Sequence, residues 1–321
     1  MNGGFGINIV HVREIFTSIL EMEVKEIKPI IGKGAVNEVF LVKTENSPYI
    51  VRMNDAKRAY SIFEKECWCM EQAGLLGIPG PEVISIGTYR EVAYMVLTFV
   101  EGTHGEDTDF EKGEVWRKLG EYARIFHSIK VAGFGEHIVD LEKGIFAERK
   151  HDNFDGTWSG FIKYNVDSLT EDDELVKQNI LTKKQSMAIK ERFECLYGKS
   201  FQFGLIHGDL SLKNTIVNDG GNVTLLDWGS AQVTIVPHYE IIELIRSQID
   251  QGYPSDLELE EFLKGYGFSK SDYFGIKEDM NTLLLLRSID KLRWALECSP
   301  NDISNFISHV KKVLKRVNYH L

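Results

Sequence analysis

The chain has 321 residues, of which 43% are apolar, 11% aromatic and 26% charged, the balance of a globular protein with room for more than one core. Its 48 acidic against 37 basic residues give a formal net charge of −11, which repels a phosphate backbone on average, argues against nucleic acid as a partner and favours a cationic small-molecule substrate. No basic segment with an apolar signal core opens it, no apolar run suits a bilayer, and its four cysteines form neither a zinc-like pair of pairs nor a secreted disulfide framework, so a cytoplasmic protein without a membrane partner is expected.

Val12, Ile15, Phe16 and Ile19 recur at helical spacing and predict a short amphipathic helix over 11–22 that packs rather than reacts. Residues 30–42 then carry Gly32 and Gly34, with Asn37 close behind, in a strand-turn-strand pattern. Glycines in such a loop let backbone N–H groups approach phosphates closely. No G-K-[ST] follows them, which excludes the helix-associated P-loop. Tyr49 to Asn54 reads as the next strand and carries Arg52, whose guanidinium can hold phosphate oxygens by a fork and still pair with a carboxylate. That carboxylate should come from the helix beginning near Arg58, with Glu66 the first choice and Glu64 the second. Cys67 and Cys69 on this helix point in different directions and read as buried or idle thiols. Pro79, Gly80 and Pro81 stop the helix, and strands over 83–87 and 92–99 follow, joined at Tyr89, Arg90 and Glu91.

Beyond Gly102 helical periodicity dominates. Val115, Leu119, Tyr122 and Phe126 mark one apolar face, with His127 read as a structural, hydrogen-bonded histidine. The run Glu171-Asp172-Asp173-Glu174 reads as a solvated face, and a helix over 185–197 precedes the stretch Leu205 to Gln232. Further helices carry the stripes Ile241, Leu244, Ile245, then Leu285, Ile289, Leu292, Leu296, and last Ile303 to Val317, all of which are core rather than cofactor contacts.

The chemistry concentrates in LIHGDLSLKNTIVNDGGNVTLLDWGSAQ, Leu205 to Gln232. Ile216, Val217 and Val223 to Leu226 flank the turn signal Asp219-Gly220-Gly221-Asn222 and predict a small hairpin, with Asn214 at its entrance, Asp227 at its exit and Asp209 on the loop before it. Two carboxylates and an amide oxygen so arranged suit a hard divalent cation, and a carboxylate left free of metal can take a proton from a hydroxyl. Five positions separate Asp209 from Asn214, the interval of a kinase catalytic loop, and Asp227-Trp228-Gly229 stands where a protein kinase has Asp-Phe-Gly.

On these residues the chain resembles the aminoglycoside phosphotransferase family, which shares its fold with choline kinases and protein kinases; Gly208 in place of an arginine points to the small-molecule branch. The resemblance implies an α+β, bilobal protein kinase-like fold: a small β-rich N-lobe over 1–100 and a larger, mainly helical C-lobe over 101–321. It implies ATP or GTP as co-substrate with Mg2+. Asp209 would be the catalytic carboxylate, His207 and Ser211 supports of its loop, and Asn214 and Asp227 the metal ligands. Gly32, Gly34, Asn37, Arg52, Glu66, Thr98 and Val100 would serve the nucleotide. Glu240 is the single substrate candidate, and it stands where many relatives carry an aspartate. An aminoglycoside-type antibiotic is the expected acceptor, with choline, an amino alcohol or a sugar as the enzymatic alternative and a non-catalytic nucleotide-binding protein as the alternative of another class.

Overall fold

The structure, a computed structural model, describes residues 9–31, 37–299 and 301–317. In chain order its elements are α1 (Ile9–Glu14), β1 (Val24–Pro29), β2 (Glu38–Thr44), β3 (Pro48–Asn54), α2 (Ala59–Leu75), β4 (Val83–Tyr89), β5 (Val92–Thr98), β6 (Thr103–His104) and α3 (Lys112–Phe126). There follow β7 (Ala132–Phe134), β8 (His137–Asp140), β9 (Ile145–Ala147), α4 (Trp158–Ser168), α5 (Glu174–Lys177), α6 (Lys183–Glu194), β10 (Phe203–Ile206), β11 (Thr215–Val217), β12 (Val223–Leu225), β13 (Gln232–Ile235), α7 (His238–Gln251), α8 (Asp256–Tyr266), α9 (Lys270–Cys298) and α10 (Ile303–Arg316). The chain falls into two compact units: the first runs to Asp109 and takes in Lys213–Gly229, and the second comprises Phe110–Leu212 and the chain from Ser230 on.

The first unit is built on a five-stranded antiparallel sheet of order β1-β2-β3-β5-β4. Alternation along β2 and β3 sends Phe40, Val42, Val51 and Met53 to one face, where they join Val92, Tyr94 and Val96 of β5. Val12, Ile15 and Phe16 close that core as their spacing predicts, whereas Ile19, the fourth residue of the expected stripe, is exposed. The helix is shorter than expected, however. After Glu14 it widens, and Leu20 N–H donates to Ile15 O, five residues back, at 3.1 Å. β5 is buried on both faces, and the α2 side chains Phe63, Cys69, Met70 and Ala73 are buried as well. Burial pushes the Cys67 and Cys69 thiols up to about 12, which fits idle thiols. A second, three-stranded sheet of order β12-β11-β6 carries the predicted hairpin, with Thr215 opposite Leu225 and Val217 opposite Val223. Its turn is tied by Asn218, whose Oδ1 accepts from Gly220 N and Asn222 N at 3.0 Å each.

The second unit is mainly helical. α3 buries Val115, Trp116, Leu119, Tyr122 and Phe126. Thr182 with Gln185, Ser255 with Glu258, and Ser269 with Asp272 form reciprocal caps that start α6, α8 and α9. The acidic run at 171–174 is not uniformly solvated: Asp173 is 5% exposed, caps Leu175 N at 3.1 Å, and receives both arms of Arg293 at 2.7 and 2.6 Å. A carboxylate that gains a bidentate guanidinium and a backbone donor can afford to leave water, which a run of like charges alone would not suggest.

Candidate functional site

In the first unit, β3 delivers Arg52 and α2 delivers Glu66. The Arg52 guanidinium donates to Glu66 Oε1 and lies 5.7 Å from the Phe63 ring centroid, a flat cation stacked beside an aromatic face. Its other arm reaches Asp227 Oδ1 at 3.4 Å. Glu66 has no exposed surface, so burial raises its pKa against the pull of Arg52; burial works to lower the Arg52 pKa, but the Glu66 and Asp227 carboxylates outweigh it and raise it. Glu66 rather than Glu64 is therefore the carboxylate that meets the strand arginine. Gly32 and Gly34 lie outside the described residues. Asn37 Oδ1 accepts from Asn54 Nδ2 at 2.9 Å, tying the start of β2 to the end of β3.

At the hairpin mouth, Leu226 N donates to Asn214 O at 2.9 Å, which sets Asn214 and Asp227 on the two strands at the same, open end of the ladder. Asp227 holds φ +58°, a left-handed backbone that only a few side chains tolerate, and its Oδ1 accepts from Gly229 N at 3.3 Å. An exposed carboxylate beside an amide, both hard oxygen donors, has the chemistry of a Mg2+-type site. Lys65, absent from the sequence reading, donates to Gly229 O at 2.9 Å and fastens α2 to the D-x-G segment. Thr98 ends β5: its N–H donates to Glu82 O at 2.9 Å and its Oγ1 accepts from Glu82 N at 2.9 Å, and Val100 follows it half-buried.

In the second unit, β10 and β13 pair antiparallel, Phe203 opposite Ile235 and Ile206 opposite Gln232, and the His207–Asp209 loop springs from the end of β10. Gly208 takes φ +78°, and a Cβ there would stand 2.5 Å from Ser230 O, so the position needs glycine. Asp209 N donates to His207 Nδ1 at 3.3 Å. Ser211 is buried, its Oγ 3.5 Å from Asp209 O. Beneath the loop lies Glu240, with no exposed surface. Its Oε2 accepts from His207 N at 2.7 Å and its Oε1 from Gly208 N at 3.2 Å. Both oxygens are thus engaged from below, which makes Glu240 a prop for the loop and not a surface ligand for a cation. His127 Nε2 stands 3.8 Å from Glu240 Oε2, too far for a hydrogen bond, while its Nδ1 meets Tyr266 Oη at 2.9 Å. Burial lowers the His127 pKa, although Glu240 pulls it the other way. Sequence spacing could not have found this series, because Tyr266, His127, Glu240 and the loop come from four separated segments.

A sheet-based unit with an arginine–glutamate pair beside D-W-G, and a helical unit presenting H-G-D, have the protein-kinase-like α+β architecture. Residues 27–278 match the family model described as APH, phosphotransferase enzyme family, and the chain belongs to that family of kinases. Among solved structures, it aligns with the GDP complex of wild-type aminoglycoside 2'-phosphotransferase-IIIa at 16% identity and TM-score 0.70, covering 97% of this chain and 99% of that one. It aligns with aminoglycoside phosphotransferase APH(4)-Ia at 15% identity and TM-score 0.67, covering 97% and 99%. A putative fructosamine-3-kinase from Haemophilus somnus 129PT aligns at 13% identity and TM-score 0.58, covering 96% and 97%. These likenesses establish the fold. No curated protein sequence matches the chain significantly. Among the described residues, no helix is long and apolar enough to cross a membrane.

Proposed function

We propose that the chain transfers the γ-phosphoryl group of ATP or GTP to a hydroxyl of a small molecule, with an aminoglycoside-type antibiotic as the acceptor. The observation that carries the phosphoryl-transfer reading is the complete ordered set Arg52, Glu66, Asp209, Asn214 and Asp227. In this reading the acceptor oxygen bonds to the γ-phosphorus as the bond to the β,γ-bridging oxygen breaks. The nucleoside diphosphate leaves with that electron pair, and the hydroxyl proton passes to the Asp209 carboxylate. Arg52, fixed by Glu66 and Phe63, supplies positive charge to the phosphates. The Gly32–Gly34 loop, Asn37, Thr98 and Val100 serve the nucleotide. Asn214 and Asp227 would hold Mg2+, which when bound supplies charge neutralisation on the phosphate oxygens. His207, Ser211 and Glu240 hold the Asp209 loop.

The acidic formal charge of −11 supports a cationic acceptor. The likeness to a putative fructosamine kinase as well as to aminoglycoside kinases supports a sugar or amino alcohol as the second reading. The test is a panel of aminoglycosides, choline, amino alcohols and sugars, screened with ATP and with GTP for nucleoside diphosphate release, with Asp209→Ala in parallel. Turnover with at least one amine-bearing acceptor and its loss in Asp209→Ala, with nucleotide binding retained, are expected. Nucleotide binding without turnover on any acceptor would point to a non-catalytic nucleotide-binding protein instead.

A further inference from the structure

The helical unit contains a cavity that none of the residues assigned to phosphoryl transfer lines. Its volume is about 560 Å³, and α7, α9 and α10 wall it, contributing among others Arg246, Asp250, Lys291, Trp294, Phe306 and Lys312. Arg246 lies six residues beyond Glu240 on α7, about 9 Å along the helix at 1.5 Å per residue.

Most charges of this wall are answered within the protein. Arg246 Nη1 donates to Glu243 Oε2, and Asp250 Oδ1 meets His309 Nδ1 at 2.9 Å. Lys312 Nζ donates to Ile249 O at 3.2 Å, and Asp302, also on the wall, accepts from Ser299 Oγ at 2.7 Å. Lys291 differs. Among the described residues no carboxylate forms an ion pair with its ammonium within 4.0 Å and no acceptor takes a hydrogen bond from it; the ammonium lies over the Trp294 ring, 5.5 Å from the centroid. The neighbouring Arg287 guanidinium, then burial, lower its pKa, against weaker opposite pulls from Asp290 and Glu136. A half-buried cation crowded by a second cation, on which the carboxylates of Asp290, Glu136 and Glu148 act only from beyond ion-pair distance, is incompletely compensated, and an anion entering the cavity would add to that compensation. Beside it, Trp294 and Phe306 meet edge to face at 6.2 Å and form an apolar wall, with Trp294 still 48% exposed.

We propose that this cavity is a binding site for a small molecule carrying a carboxylate or phosphate group, the anion on Lys291 and a ring or apolar body on Trp294 and Phe306. The site goes beyond phosphoryl transfer, since it uses none of the residues that would handle nucleotide or metal.

The test is calorimetric titration of the full chain in saturating MgADP, which keeps phosphate-bearing probes out of the nucleotide site. The probes are phenyl phosphate, benzoate, inorganic phosphate and benzyl alcohol. Phenyl phosphate or benzoate should bind at least tenfold more tightly than benzyl alcohol, and which of the two is preferred tells phosphate from carboxylate as the source. Lys291→Met, which keeps the stem and removes the charge, should weaken the anionic probes at least tenfold and leave benzyl alcohol within twofold. Should that variant fold poorly by thermal melting, Ser308→Trp, an exposed position at the cavity rim on α10, must abolish probe binding by filling the mouth. Undiminished binding in Lys291→Met or in Ser308→Trp, or no binding of any anionic probe at millimolar concentration, overturns the proposal. The readout needs no turnover, so it stands or falls apart from the kinase reading.

Discussion

Glu240→Ala isolates the prop beneath the Asp209 loop. The wild-type carboxylate has no exposed surface and accepts two backbone N–H groups at 2.7 and 3.2 Å. Each hydrogen bond to an ionised acceptor contributes roughly 1.5–3 kcal/mol, but removing the acceptor also frees the protein from burying a charge. The balance is a loss of about 3 kcal/mol, because the buried N–H of His207 and the part-buried N–H of Gly208 lose their carboxylate acceptor. At roughly 2–4 °C per kcal/mol for a unit of this size, the thermal midpoint should fall by about 6–12 °C. Glu240→Gln keeps one accepting oxygen but turns an NH2 towards the second N–H, and should fall between the two. Urea unfolding gives the stability, and nucleoside diphosphate release below the melting range gives the activity. The alanine variant should turn over at least tenfold more slowly, through kcat more than through the acceptor KM, since the loop that aims Asp209 loosens while the acceptor's own contacts stay. An alanine variant within about 0.5 kcal/mol of wild type would refute the idea that Glu240 carries the loop.

Arg52→Ala leaves Glu66 buried without a counter-charge and should cost about 3–5 kcal/mol by urea unfolding, whereas Arg52→Lys keeps the charge and should lose less than half of that; equal losses would mean that the pair is not what stabilises the position. In Gly208→Ala the left-handed backbone and the 2.5 Å approach to Ser230 O together should cost at least about 2 kcal/mol, checked the same way, and a neutral substitution would show that the loop can shift. Burial lowers the pKa of His127, His238 and His309, with Glu240, Asp279 and Asp250 respectively pulling the other way. The unfolded chain therefore takes up protons near pH 6.5 where the folded chain does not, so their contribution is complete above about pH 6.5 and is lost as pH falls from there towards the folded values. Urea midpoints should drop between pH 7.5 and pH 5.5, and replacing His127 and His309 with glutamine should flatten the drop; an unchanged slope in the double variant would assign it elsewhere.

What the sequence made legible was local. The hairpin could be placed because its turn residues, its apolar strands and the interval from Asp209 to Asn214 sit within one short stretch, and the chain folds back on itself there with Thr215 opposite Leu225. The strand arginine was visible, but its partner was not unique until the packing of α2 on the sheet set which helical face meets β3. Contacts between distant segments left no periodic trace. Lys65 reaches Gly229 across 164 positions, and Glu240 reaches His207 across 33. β6, only two residues long, carries no alternation by which to detect it, and becomes a strand because β11 offers it an edge. The acidic run misled for the same reason: Arg293, which draws Asp173 inward, comes 120 positions later.

Arg52 has a practical corollary. Its guanidinium stays protonated throughout the range in which the protein is folded, and so has no free amine to react. Reagents that find kinases by acylating the lysine on the third strand would meet no nucleophile at position 52. The nearby Lys65 amine is already engaged with the Gly229 carbonyl. A lysine tag aimed at that strand would therefore leave position 52 unlabelled, and capture on a nucleotide affinity matrix does not depend on that position.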